Sequence, residues 1–167
     1  MTAITPGSGA SISAATLEGQ LLELAVFLKI AEQSPSKNPN SRNFIGITFN
    51  LSTLIASITF SLPASPGVNS SGQLLTTATP YLQNTGFTPG SGGTFLSVNP
   101  EAYFMELVTA LQINEANAAK NPALANNVSA VYDSDEQLFD GTATLPIEVS
   151  LQLDGSIKTI ADEYLLD

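Results

Sequence analysis

The sequence predicts an α+β protein made of two tandem helix-strand-strand-strand repeats with antiparallel sheet, related by an approximate two-fold axis. Three observations predict it. The pentapeptide TPGSG occurs at Thr5–Gly9 and again at Thr88–Gly92, an offset of 83 residues. Sliding the chain on itself by that offset aligns residues 5–82 with 88–165 without a gap, and 23 of the 78 aligned pairs are identical. Each copy carries one stretch of helical periodicity followed by stretches of strand alternation.

The identities are scattered along the copies. Glu18, Glu23, Leu24, Leu28, Ile30 and Glu32 meet Glu101, Glu106, Leu107, Leu111, Ile113 and Glu115, and Lys37-Asn38-Pro39 meets Lys120-Asn121-Pro122. Thr59, Leu62-Pro63, Gly72, Thr76, Ala78 and Tyr81-Leu82 also recur. The division is therefore a first αβββ repeat at 1–83 and a second at 84–167. One helix on three strands is marginal in about 80 residues. The two copies, joined by the short segment Gln83–Phe87, are expected to pack as one globular unit.

Each copy opens on TPGSG, whose Pro-Gly step and clustered Gly and Ser mark a turn. No Gly-Lys-Ser/Thr follows, so the segment lacks the signature of a phosphate loop. A helix comes next. Asn99 suits the N-cap, Pro100 the first helical position and Glu101 the positive end of the helix dipole; Thr16 takes the cap in the first copy. The main apolar stripe is Leu17, Leu21, Leu24, Ala25 and Leu28, and in the second copy Phe104, Leu107, Val108 and Leu111. A second stripe runs Leu22, Val26, Ile30, matched by Met105, Thr109, Ile113. A helix apolar on two sides is covered on two sides, by the sheet and by its sister helix or another subunit. Asn38-Pro39 and Asn121-Pro122 are read as the helix stops.

Three strands follow. Ile45, Ile47 and Phe49 alternate with small or polar residues, as do Val128, Ala130 and Tyr132. The second strand is longer, with Ala143, Leu145, Ile147, Val149, Leu151 and Leu153 on one face, matched by Phe60, Leu62, Ala64, Pro66, Val68 and Ser70. Pro63 and Pro146 lie inside this run and call for an edge strand or a bulge there. A three-residue turn at Leu153-Asp154-Gly155, with Gly in the left-handed position, pairs Leu151 with Ile157, Val149 with Thr159 and Ile147 with Ala161. Ser70-Ser71-Gly72 does the same with Val68 opposite Leu74. This register puts Ile157 and Ala161 on the apolar face and leaves Ile160 without a role.

Composition excludes more than it suggests. The chain has 167 residues, no Cys, His or Trp, and a net charge of −10, with only 12% charged residues. Triads and dyads built on His or Cys, zinc fingers and imidazole-ligated metals are therefore excluded. An acidic chain without a basic patch is repelled by nucleic acid and anionic membranes. The start shows no basic and apolar leader, and Leu21–Ala31, the longest apolar-rich stretch, is interrupted by Glu23 and Lys29 and too short to cross a bilayer. A cytoplasmic or particle-associated location is expected. Residues 1–83 carry three acids and three bases, and residues 84–167 twelve acids and two bases, so the whole net charge belongs to the second copy.

Two sets of acids invite a chemical reading. Glu23/Glu106 and Glu32/Glu115 recur, but nine positions on a helix set the two members of a copy on opposite sides. They are read as scaffold, with Glu32 and Glu115 bonding backbone near the helix end. The run from Tyr132 to Gly141 supplies Asp133, Asp135, Glu136 and Asp140, an oxygen-rich cluster of the kind that binds calcium, though without EF-hand spacing. The leading reading is a solvated turn between strands, since the first copy has neutral Asn50-Leu51-Ser52-Thr53 there; calcium or another cation is second, and catalytic carboxylates are third. No catalytic residue and no cofactor other than calcium is expected. The function expected is that of a non-enzymatic structural or assembly protein, self-associating or a subunit of a larger particle, with protein partners. The alternatives are a module binding a small polar ligand or carbohydrate and, third, a carboxylate-based hydrolase.

Overall fold

The computed structural model describes residues 4–68 and 70–166. Two helices, α1 (Leu17–Glu32) and α2 (Pro100–Glu115), each start where a short polar side chain satisfies a free amide. Thr16 Oγ1 accepts from Gly19 N at 3.0 Å, and Asn99 Oδ1 accepts from Ala102 N at 2.8 Å, with Pro100 opening α2. The main stripe of each helix is buried, and the helices pack against one another.

The helices end earlier than Asn38 and Asn121. These two residues close the loop that follows. Asn38 Nδ2 donates to Glu32 O and Arg42 O while its Oδ1 accepts from Arg42 N, and Asn121 makes the same three bonds to Glu115 and Ala125. An amide side chain offers two donors and an acceptor at once. Both asparagines are buried at 1–2% exposure, so they tie a loop together rather than stop a helix.

The strands are β1 (Ile45–Asn50), β2 (Ile55–Val68), β3 (Leu74–Ala78), β4 (Val128–Asp133), β5 (Leu138–Leu151) and β6 (Ile157–Ala161). They form one antiparallel sheet in the order β1-β2-β5-β4, with β3 on the outer part of β2 and β6 on the outer part of β5. Central β2 and β5 pair from Ile55↔Pro146 to Pro63↔Leu138, through Thr59↔Thr142 at the middle. Ala56, Ile58, Phe60, Leu62 and Ala64 of β2 face the helices, as do Phe139, Ala143, Leu145 and Ile147 of β5, and together these residues form the core.

Neither Pro63 nor Pro146 lies on an edge strand. Each sits where its long strand changes neighbours. Ser61 N donates to Phe44 O, at the start of β1, and Ala64 N donates to Gln137 O on the opposite side. The nitrogen of Pro63 therefore points into the gap between the start of β1 and the end of β3, where no ladder bond is lost. Thr79 N donates to Pro63 O, and Asp162 N to Pro146 O, each at 2.8 Å.

Both outer hairpins have the expected register, Leu151↔Ile157, Val149↔Thr159 and Ile147↔Ala161, with Val68↔Leu74 in the other. Gly72 and Gly155 hold φ of 83° and 87°, the left-handed conformation the turn requires. Burial differs from expectation. Ala161 is covered, but Val149, Leu151, Leu153 and Ile157 are exposed, because the β5–β6 hairpin runs out past the helices as an arm. The side chains of Val68 and Leu74, expected on the matching face of the β2–β3 hairpin, lie outside the described residues.

The two TPGSG segments meet each other. Ser8 and Ser91 form an antiparallel bridge, with N···O distances of 2.9 and 3.1 Å, flanked by Ser11 N to Thr88 O and Thr94 N to Thr5 O. A Cβ on Gly7 would fall on Pro89 O and the Gly90 backbone, so glycine here permits backbone-to-backbone contact.

Candidate functional site

Four groups could carry chemistry: the helix-borne glutamates, the tyrosines they meet, the acidic turn, and the grooves beside the helices.

The glutamates are already engaged. Glu101, fully buried, accepts through Oε2 from Tyr81 N at 2.7 Å and Leu82 N at 3.0 Å. Glu18, at 2% exposure, accepts through Oε2 from Tyr164 N at 2.8 Å and Leu165 N at 3.1 Å. Each carboxylate thus holds the end of the opposite half of the chain. Their place at a helix start is as expected, but their principal partners are these strand tails and not the dipole. Glu32 accepts from Phe44 N, Ile45 N and the Tyr81 hydroxyl, the last at 2.6 Å. Glu115 accepts from Asn127 N, Val128 N and the Tyr164 hydroxyl, again at 2.6 Å. The backbone they bond is the entry to β1 and to β4. Glu23 accepts from Ser13 N and Ala14 N ahead of its own helix.

Burial pushes Glu32 above the usual carboxylate range, against the pull of Tyr81, Phe44, Ile45 and Lys29. Burial also pushes the Tyr81 and Tyr164 hydroxyls far above the usual phenol value, helped by Glu32 and Glu115 respectively. The folded protein keeps these phenolic protons where the unfolded chain releases them, above about pH 10. The stabilisation is therefore complete below that pH and is lost as pH rises beyond it. Urea midpoints measured at about pH 9 and pH 11 should fall steeply with alkali in the native sequence and less steeply in Tyr81→Phe. An equal slope in the variant would show that this hydroxyl is not the group responsible.

The four acids proposed for calcium are spread along one hairpin. Asp133 ends β4, and its Oδ1 accepts from Asp135 N at 2.9 Å and Glu136 N at 3.1 Å. Asn50 makes the same turn with Ser52 N and Thr53 N. Asp135 and Glu136 are exposed in the turn. Asp140 lies on β5, where it accepts from the Ser61 hydroxyl at 2.6 Å across the strand pair. Among the described residues, no group of three or more acidic side chains stands where it could hold a metal ion. No helix among them is long and apolar enough to cross a membrane.

Two grooves run beside the helices. One, of about 740 Å³, lies between the outer stripe of α1 (Leu22, Val26, Ile30) and β6 from Lys158 to Ala161. The other, of about 570 Å³, lies between Met105, Thr109 and Ile113 of α2 and β3 from Thr76 to Ala78. These stripes are the second apolar faces of the helices. Each is covered at its start but ends on an isoleucine more than 60% exposed, Ile30 or Ile113. Ile160, without a role in the hairpin register, lines the first groove.

Sequence reasoning takes Glu101 as a first-turn acid and Tyr81, Tyr103, Tyr132 and Tyr164 as aromatic candidates for a small polar ligand. It misses the reciprocal holding of the tails by Glu18 and Glu101, the Tyr81–Glu32 and Tyr164–Glu115 bonds, and the Gln20–Tyr103 pair. Tyr103 Oη donates to Gln20 Oε1 at 2.8 Å, with both residues buried. Recurrence of Glu18/Glu101 and Tyr81-Leu82/Tyr164-Leu165 at the common offset was the available signal. Comparison with protein-family models, curated proteins and solved structures finds no match to this chain.

Proposed function

We propose that the chain is an internally duplicated, non-enzymatic assembly protein that associates with copies of itself, as a subunit of a larger particle. Residues 1–83 and 84–167 are its two repeats, packed as one unit about an approximate two-fold axis. What supports the duplication is the pairing of equivalent positions with one another: Ser8 with Ser91, Gln20 with Tyr103 and Thr59 with Thr142. A two-fold axis between copies brings such positions together.

The observation that carries the assembly reading is the apolar surface of the β5–β6 arm and of the groove beside α1. Val149, Leu151, Leu153 and Ile157 on the arm, with Ile160 and Ile30 near the groove, are all exposed. Leu151 and Ile157, opposite one another in the hairpin, are 76% and 65% exposed, and apolar side chains left open side by side mark an association surface. Glu18, Glu32, Glu101 and Glu115 are meanwhile bonded to backbone amides or tyrosine hydroxyls. Sedimentation of the full chain over a wide concentration range is expected to show reversible growth in mass. A strictly monomeric species at the highest concentration reached would overturn the reading.

A further inference from the structure

The groove beside α1 runs along an open strand edge. Residues of both faces of β6 line it, Lys158 and Ile160 as well as Thr159 and Ala161, and β6 pairs only with β5 among the described residues. Gln152 N donates to Ser156 O, and Asp162 N donates to Pro146 O, so the even-numbered residues of this strand direct their backbone toward β5. In an antiparallel strand the N–H and C=O of one residue point to the same side. Ile157, Thr159 and Ala161 therefore present their backbone groups outward. Beside that edge stands the partly uncovered outer stripe of α1, ending on Ile30, which is 62% exposed. Beyond it projects the arm, whose Leu151 and Ile157 are 76% and 65% exposed on the same sheet face as core residues Ile147 and Ala161.

We propose that β6 pairs antiparallel with β6 of a second copy, centred on Thr159, so that each arm covers the outer α1 stripe of the other copy. The inference rests on the assembly reading above and names its surface.

Three features select a second copy as the occupant. The first is the register. Centring on Thr159 sets Ile157 opposite Ala161 twice and uses every outward-facing residue of the strand. It carries the arm tip, where Leu151 and Leu153 are exposed, toward the end of β6 where the other copy's α1 lies. One pairing thus covers both apolar surfaces. The second is charge. The second half holds all of the net −10, yet β6 contains no acid and one base. In this register Lys158 faces Ile160, Asp162 faces Ser156 and Glu163 faces Gly155, so no acid opposes an acid. The third is apolar surface. Leu151 and Ile157 on the arm and Ile30 at the end of the α1 stripe are all more than 60% exposed, surface that this pairing covers, and the paired edge adds backbone hydrogen bonds.

The edge of β3 lacks the apolar arm and the unbroken helix stripe. Its long strand has Pro66 and Ser70 where β5 has Val149 and Leu153, and Thr109 interrupts the α2 stripe where α1 has Val26. It supplies the comparison for a test.

Proline at position 159 removes an outward donor and leaves the ladder to β5 intact. Thr159→Pro should weaken self-association of the full chain in sedimentation by at least about tenfold, with little change in the far-ultraviolet spectrum or melting temperature. The chain has no cysteine. Across a hydrogen-bonded antiparallel pair, Cα atoms stand about 5.5 Å apart, within disulfide reach. Thr159→Cys should therefore give a covalent dimer under mild oxidation, and Thr76→Cys, its counterpart on β3, should not. Self-association unchanged in Thr159→Pro, or equal cross-linking of the two cysteine variants, would overturn this interface while leaving the assembly reading in place. A native chain that stays monomeric, with neither variant cross-linking, would remove both.

Discussion

Replacing Glu101 with alanine is expected to lower stability by about 3–5 kcal/mol, from two stranded amide donors and the cavity left by the side chain. Glu101 is wholly buried and accepts from two consecutive amides, Tyr81 N and Leu82 N. Alanine leaves both donors without an acceptor inside the protein, each at a cost of about 1–3 kcal/mol, and opens a cavity in place of the side chain. The tail it releases carries the Tyr81 hydroxyl that bonds Glu32, and Gln83 N, which donates to Lys37 O. Losing one carboxylate therefore loosens the loop after α1 as well. Glu101→Gln keeps an oxygen toward the amides and removes the buried charge, so about 1 kcal/mol should be lost instead. Glu18→Ala should behave like Glu101→Ala, because Glu18 holds Tyr164 N and Leu165 N in the same way. Urea unfolding with an unchanged slope measures these differences. A loss under about 1 kcal/mol for Glu101→Ala would mean that water reaches the two amides and that the tails are not held by these side chains.

The residues behind these predictions show how far the sequence could be read. The helices were legible because Thr16 and Asn99 obey a local rule, one side-chain oxygen for one free amide. The outer turns were legible because strand parity allows only one loop length that keeps Ala161 inside. Pro63 misled for a physical reason: a proline needs a missing partner on one side of its strand, and an edge is only the commonest way to provide it. Here the pairing of β2 with β1 gives way to its pairing with β3, a property of the neighbours that β2 alone does not encode. The arm misled for a related reason. Alternation continues through Val149, Leu151 and Leu153, but the helices do not extend that far, so the pattern reports a face without reporting what covers it. Glu18 and Glu101 looked like ordinary first-turn acids. Their role depends on residues 146 and 20 positions away, beyond any local rule.

Gly141→Ala should cost at least about 3 kcal/mol, at the upper end for an overpacked core. Gly141 pairs with Phe60 on one side and Ala130 on the other. A Cβ there would lie against Ser129 O and 2.5 Å from the Phe60 ring, which packs edge-on to Phe104 at 5.0 Å. Phe60→Ala should not rescue the variant, because the Ser129 carbonyl remains in the way; full rescue would place the obstacle in the ring alone. One strand pair further along, on the other side of Thr59↔Thr142, Ile58 faces Ala143. Large meets small on both sides of the centre. If β2 paired in this register with β2 of another chain, Phe60 would face Ile58 twice and the core would be overfilled. If β5 paired with another β5, Gly141 would face Ala143 twice and leave a void. The two long strands therefore fit each other better than either fits its own copy. This complementarity favours closure within one chain and leaves the outer edges for association between chains.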